Sequence, residues 1–337
     1  MNVLITGGAG QIAYALIPII LSGQIFGVKQ TINLKLLDIE SSIERLHGVK
    51  MEIEDSNFTC TGSLTITSNI ETAFTDINLA ILLGGFPRSK DMSRNDLISK
   101  NFNIFKQHGE ALNKYSSSDV KVLVVANPAN TNCWTANYFA PRIPSDNFTS
   151  LSYLDQERLR FLLQDKYNIP PLDIKNIVIW GNHSDTMVPD ISYLGDTTEI
   201  SANLPTHNSD VNGVKSSVHD KRLNLDDHDI KYIQDRGKNI ISKRGLSSAL
   251  SAASAIQKHL QAWYHGSNDE IISFGVYNKQ CAFGFPSDLV ISLPVKTYPN
   301  FKICIQDNLH IQNHVRKLIM LSIEELQNEY KEIYLSL

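Results

Sequence analysis

The sequence predicts an α/β chain: a doubly wound parallel sheet over residues 1–148, then a mixed α+β half over 149–337. Three observations point there. Short apolar runs alternate with helical patterns through the first half, as parallel strands joined by crossover helices require. A glycine-rich turn follows the first apolar run and opens the first helical stretch. Beyond Pro144–Ser150 the alternation gives way to a less regular pattern.

In chain order, the strand patterns are residues 3–6, 33–38, 79–83 and 120–126. Helical patterns cover 11–21, 42–54 and 94–115. Pro18 is expected to kink or shorten the first helix, because proline lacks the N–H that the helix interior needs. On the second helix, Ile43, Leu46, Val49 and Ile53 form one apolar stripe, which can face the core or a subunit interface. In the second half, 154–166, 247–264 and 312–334 read as helices, and 174–180 and 271–276 as strands. Residues 208–228 are polar and read as loop-rich.

The bulk composition narrows the function. The 337 residues are enough for two domains of ordinary size. A net charge of −4, with 20% charged residues, favours neither a nucleic-acid partner nor a membrane surface. Four scattered cysteines without a Cys-x-x-Cys pair make no thiolate metal site or disulfide framework, so no metal is expected. They fit a reducing compartment. Met1-Asn2 leads straight into a strand pattern with no basic and apolar leader, so a cytoplasmic location is expected.

Thr6-Gly7-Gly8-Ala9-Gly10-Gln11-Ile12-Ala13 lies between strand and helix. Its glycines permit a tight turn and close approach of backbone to a pyrophosphate, which the free N–H groups of a helix N-terminus then face. The placement predicts a Rossmann-type dinucleotide site that uses Gly7, Gly10, Gln11 and Ile12. Asp38 ends the second strand. An acid there accepts hydrogen bonds from ribose hydroxyls and repels a 2′-phosphate, favouring NAD over NADP. Read structurally, the same acid caps a turn.

Four further groups carry chemistry. Arg88 and Arg94 follow the strand at 79–83, where an open α/β sheet binds ligands, and guanidinium groups grip carboxylates or phosphates with two hydrogen bonds. Asn127, before Pro128 at the end of another strand, offers both a donor and an acceptor. His183 lies just past the strand at 174–180, between Asn182 and Ser184, and suits proton transfer near neutral pH. Asp155 and Arg158, three apart on a helix, share a face. Aspartate can orient an imidazole and favour its protonated form, while arginine can clamp a carboxylate. Taken singly, these are also an exposed basic loop, a turn, a loop histidine and a surface ion pair.

Taken together and in order, these segments resemble the malate/lactate dehydrogenase family, its cytosolic-type malate branch most closely. The resemblance rests on Thr6–Ala13, Leu37-Asp38-Ile39, Pro87-Arg88 with Met92-x-Arg94, Asn127-Pro-Ala-Asn-Thr-Asn132, Leu154-Asp155-x-x-Arg158 and Ile179-Trp-Gly-Asn-His183. Ser247-Ser248-Ala249 and Phe283-Gly-Phe-Pro with Ser292-Leu-Pro extend it more weakly. It implies reversible hydride transfer between NAD and a small 2-hydroxy acid. Arg158 would bind the C1 carboxylate, Arg88 the second carboxylate of a dicarboxylic acid, and Arg94 the C2 carbonyl. Asn127 would orient the substrate, and His183, made more basic by Asp155, would exchange the proton. Asn101, His108 and Ala126 join Asn127 on the cofactor side, and the assembly implied is a homodimer.

The chain departs from the family pattern at three positions. Asp91 replaces a glycine before Met92, His108 stands where glutamine is usual, and Glu157 replaces an asparagine before Arg158. Within the family, a lactate or other 2-hydroxy-acid dehydrogenase is the alternative, and it turns on Arg88. Short-chain dehydrogenases share Ile5-Thr-Gly-Gly-Ala-Gly but need a helical Tyr-x-x-x-Lys. The spacing occurs here at Tyr298 and Lys302, interrupted by Pro299. A nucleotide-binding protein without catalysis would have lost His183, Asp155 or an active-site arginine, and none is missing.

Overall fold

A computed structural model describes residues 1–86, 94–195 and 223–334, with Arg94, Asn95 and Tyr334 traced by backbone only. Arg88, Asp91 and the side chain of Arg94 therefore lie outside the described residues.

The first half winds as β1 (Asn2–Thr6), α1 (Gln11–Leu21), β2 (Ile32–Leu37), α2 (Ile43–Ser56), β3 (Thr61–Thr67), α3 (Ile70–Phe74) and β4 (Leu79–Leu82). It continues through α4 (Arg94–Tyr115), β5 (Lys121–Val124), α5 (Ala129–Tyr138) and β6 (Phe148–Ser150). These strands pair in parallel in the order β3-β2-β1-β4-β5-β6. The order reverses between β1 and β4, which opens the ligand crevice of a doubly wound sheet beyond their carboxyl ends.

The second half adds α6 (Tyr153–Tyr167), β7 (Val178–Trp180), β8 (Val188–Asp190), α7 (Asp227–Arg244) and α8 (Leu250–His265). It closes with β9 (Ile272–Tyr277), β10 (Val290–Tyr298), β11 (Lys302–Ile305) and α9 (Asn313–Tyr334). The last three strands extend the first sheet. β9 runs antiparallel to β6 through Ser150 and Gly275, and β10 and β11 follow, giving a nine-stranded sheet among the described residues. At this joint a Cβ on Gly275 would lie 1.8 Å from Ser150 Oγ, so the strands meet only because residue 275 has no side chain. A β7–β8 hairpin stands apart and touches β10 through mutual hydrogen bonds of Gly181 and Ser292.

Apolar side chains of the large sheet, including Leu4, Ile81, Phe148 and Phe274, form the main core with helix residues such as Trp134 of α5. A smaller core of Leu159, Leu163, Ile179, Met187 and Ile233 fills the space under α6, β7 and α7.

One expectation resolves differently, and one open alternative closes. Helix α1 runs through Pro18 to Leu21. Pro18 sits on the solvent face, where water can satisfy the carbonyl one turn earlier, so the missing N–H ends nothing. Of the two readings of the α2 stripe, it faces its own core: Leu46, Val49 and Ile53 are buried, and Ile43 packs against that core.

Candidate active site

The glycine turn forms the floor of the crevice. Gly7 has φ +66°, and a Cβ there would lie 2.8 Å from Gly84 Cα, in the turn after β4. The two turns are joined by the Gly84 N–H, which donates to Thr6 Oγ1 at 3.0 Å. Gly10 caps α1 without a side-chain acceptor, and Gly10 and Gln11 are exposed. The first-turn N–H groups of α1 thus face the crevice unoccupied by the chain's own side chains. An anion is what such a helix N-terminus accepts, so these residues fit a dinucleotide pyrophosphate.

Asp38 is half-buried at the end of β2. Its Oδ2 accepts the Ala9 N–H at 2.9 Å and its Oδ1 the Ile39 N–H at 2.8 Å. It therefore braces the glycine turn while keeping further lone pairs free. Asn101, on α4, is wholly buried. Its Oδ1 accepts the Phe86 N–H at 2.8 Å, and its Nδ2 donates to Leu97 O at 3.0 Å and Asn127 O at 3.3 Å. It ties the turn after β4 to the turn after β5, where Asn127 is exposed and Ala126 half-buried. His108, expected beside the cofactor, sits instead in the core, packed against the rings of Phe74 and Phe105. Burial lowers its pKa to about 4, because a charged imidazole there would lose its hydration.

A histidine–aspartate–arginine cluster is assembled from α6 and the loop after β7. His183 Nδ1 lies 2.5 Å from Asp155 Oδ2, and Arg158 Nη1 donates to Asp155 Oδ1 at 2.9 Å. Asp155 is 2% exposed, Arg158 13% and His183 20%, so the carboxylate is dry while both partners reach solvent. Burial alone would raise the Asp155 carboxyl. The opposing charges and hydrogen bonds of His183 and Arg158 more than offset it and hold the carboxyl below its usual range. With Nδ1 held by the carboxylate, Nε2 is the ring nitrogen left to exchange a proton. Arg158 also lines a cavity of about 220 Å³ with Tyr232 and Arg236 of α7 and Ser251 of α8. Glu157 turns to Arg160 at 3.3 Å and to Lys258, away from the histidine.

Asn130 is a contributor the sequence reading did not single out. It is fully buried in the first turn of α5, and its Oδ1 accepts the His183 backbone N–H at 3.0 Å. Its one signal was its place in the Asn127–Asn132 run, where an asparagine beside a proline reads as turn chemistry.

An open anion cradle at the switch point, together with a carboxylate-held histidine, suits a dinucleotide-dependent oxidoreductase. The chain belongs to the lactate/malate dehydrogenase family: its NAD-binding domain model matches residues 1–149 and its α/β C-terminal domain model residues 152–335. The cytoplasmic malate dehydrogenase of Echinococcus granulosus is 40% identical over 98% of this chain and 96% of its own length. That of Medicago sativa is 41% identical over the same shares. Among solved structures, malate dehydrogenase from Naegleria fowleri superposes with a TM-score of 0.88 at 34% identity, covering 100% of this chain and 98% of that one. Lactate dehydrogenase from Trichomonas vaginalis, in complex with NADH and oxamate, gives 0.86 at 34% identity, covering 99% and 98%. The fold is thus common to enzymes named for either substrate. Among the described residues, no helix is long and apolar enough to cross a membrane.

Proposed function

We propose that this chain interconverts malate and oxaloacetate with NAD, and that His183 is its acid–base group. The observation that carries the reading is Asp155, one buried carboxylate that holds His183 on one oxygen and Arg158 on the other. The pairing sets a proton-exchanging nitrogen and a carboxylate-binding guanidinium at a fixed spacing, which is what a 2-oxo acid needs across its C1–C2 bond. When bound, NAD supplies the hydride chemistry. Gly7, Gly10, Gln11 and Ile12 hold its pyrophosphate, Asp38 its ribose, and the turn at Ala126–Asn127, braced by Asn101, its nicotinamide side. In the reducing direction protonated His183 gives its proton to the carbonyl oxygen; in the oxidising direction neutral His183 takes it back.

Substrate choice falls to Arg88. A guanidinium that finds no carboxylate is left desolvated and unpaired, which penalises a monocarboxylate. Arg94 polarises the C2 carbonyl, and Asn127 orients the substrate. The same reading divides the chain into a nucleotide half, 1–148, and a substrate half, 149–337. It places the enzyme in the cytoplasm, like the relatives so named, and makes it a homodimer.

The test is NADH oxidation with oxaloacetate and with pyruvate. Oxaloacetate should win in kcat/KM by about a hundredfold or more. Arg88→Gln should shrink that ratio by roughly tenfold or more, through loss of oxaloacetate turnover. Equal kcat/KM for the two acids in the wild type would contradict the assignment to malate, and an unchanged ratio in the variant would free Arg88 of its role.

A further inference from the structure

Asp155 orients the His183 ring from one side, but the backbone that carries the ring is held from another quarter. Ser322, Glu325 and Glu329 fall at i, i+3 and i+7 of α9, on one helix face. That face meets residues 181–186. Gly181 is pressed against it, with φ +92° and a would-be Cβ 2.3 Å from Ser322 Oγ. The Asn182 N–H donates to Ser322 Oγ at 2.7 Å. The Asn182 Nδ2 donates to Glu325 Oε2 and Glu329 Oε1, both at 2.9 Å. Ser184 Oγ donates to Glu325 Oε2, and Thr186 Oγ1 approaches the same oxygen at 2.7 Å.

Glu329 also reaches the first turn of α5. Its Oε2 accepts from Thr131 Oγ1. Thr131 follows Asn130, which accepts the His183 N–H and donates through Nδ2 to Val290 O at 3.0 Å. One carboxylate therefore joins the residue before the histidine to the residue after its backbone acceptor. Glu329 is 4% exposed, Asn182 and Thr131 1% each. A carboxylate that dry is costly unless every lone pair is used, and apolar packing of α9 would hold the helix at less cost. What the carboxylate adds is direction: it accepts from fixed donors on the loop after β7 and on the first turn of α5, and so sets their spacing.

We propose that Glu329, assisted by Glu325, is a positioning residue that sets the height of His183 above the substrate by locking Asn182 to Thr131. The proposal rests on His183 being the acid–base group. It is tested with Glu329→Gln, Asn182→Ala and the double variant. Glu329→Gln keeps the shape but removes the charge and one acceptor, so its NH2 must face Thr131 Oγ1 and reverse that hydroxyl from donor to acceptor. Each single variant should lose on the order of ten- to a hundredfold in kcat with oxaloacetate. KM for NADH should stay within about twofold, since the glycine turn is untouched. The primary isotope effect with NADH deuterated at the transferred position should rise, because misplacement slows the chemical step. Loss of folded protein would lower kcat without moving the isotope effect. The double variant should be no slower than the slower single variant.

Wild-type kcat and isotope effect in folded Glu329→Gln overturn the proposal, and so do losses that multiply in the double variant. Should Glu329→Gln not fold, Thr131→Val removes one donor at constant shape, and an unchanged kcat and isotope effect there overturn it equally. A wild type inactive on oxaloacetate would instead count against the functional assignment; an active wild type with indifferent variants counts against the positioning role alone.

Discussion

Asp155 has two tasks that pull on one group. It must stay charged while nearly excluded from water, and it does so because His183 and Arg158 each take one oxygen. Asp155→Asn keeps the shape and removes the charge, so kcat should fall by roughly a hundredfold or more, read directly in the oxaloacetate assay. The same substitution should change acid stability. The folded carboxyl lies below its unfolded value, so its stabilisation is complete above about pH 4 and is lost as pH falls through the lower folded value. Asp155→Asn should therefore flatten the fall in Tm on the acid side; an unchanged acid limb would show that the pair adds nothing. The i, i+3 spacing of Asp155 and Arg158 and the strand-end position of His183 were legible in the sequence. Asn130 and His108 were not, because burial decides their parts. A buried asparagine becomes a backbone acceptor and a buried histidine an apolar ring, and neither change is visible in residue type.

Among elements, the first turn and helix show local chemistry and tertiary geometry agreeing. The boundaries of α1 follow from periodicity and glycine placement, and those of α4 from periodicity. Strand β7 falls at the end of the 174–180 pattern, whereas the three-residue strands β6 and β8 are too short for alternation to register and take shape through pairing with β5 and β7. Gly7 shows what the crevice demands. Its left-handed φ and the 2.8 Å approach of Gly84 leave no room for a methyl group. Gly7→Ala should cost about 1–3 kcal/mol of stability and weaken NADH binding, measured by thermal melting and fluorescence titration. Wild-type affinity in that variant would mean the turn is not the pyrophosphate site.

For the whole molecule, one exposed groove among the described residues bears on assembly. Tyr14, Arg45, Glu52 and Leu250 line a groove formed by α1, α2 and the start of α8, with Leu250 83% exposed and Tyr14 53%. An apolar residue so exposed beside a groove suits a second copy of the chain. Leu250→Asp should shift sedimentation from dimer to monomer, and a monomeric wild type would refute the proposed dimer. The buried α2 stripe does not compete for this role, since its apolar residues already serve the core.

The joint at Ser150 and Gly275 makes the two halves neighbours in one hydrogen-bonded sheet. A hinge has no place to act there, and neither half has a sheet edge of its own on that side. Heat should then melt the chain as a single cooperative unit: calorimetry should give one endotherm whose van't Hoff and calorimetric enthalpies agree. Gly275→Ala, which drives a methyl group into Ser150, should split or broaden it.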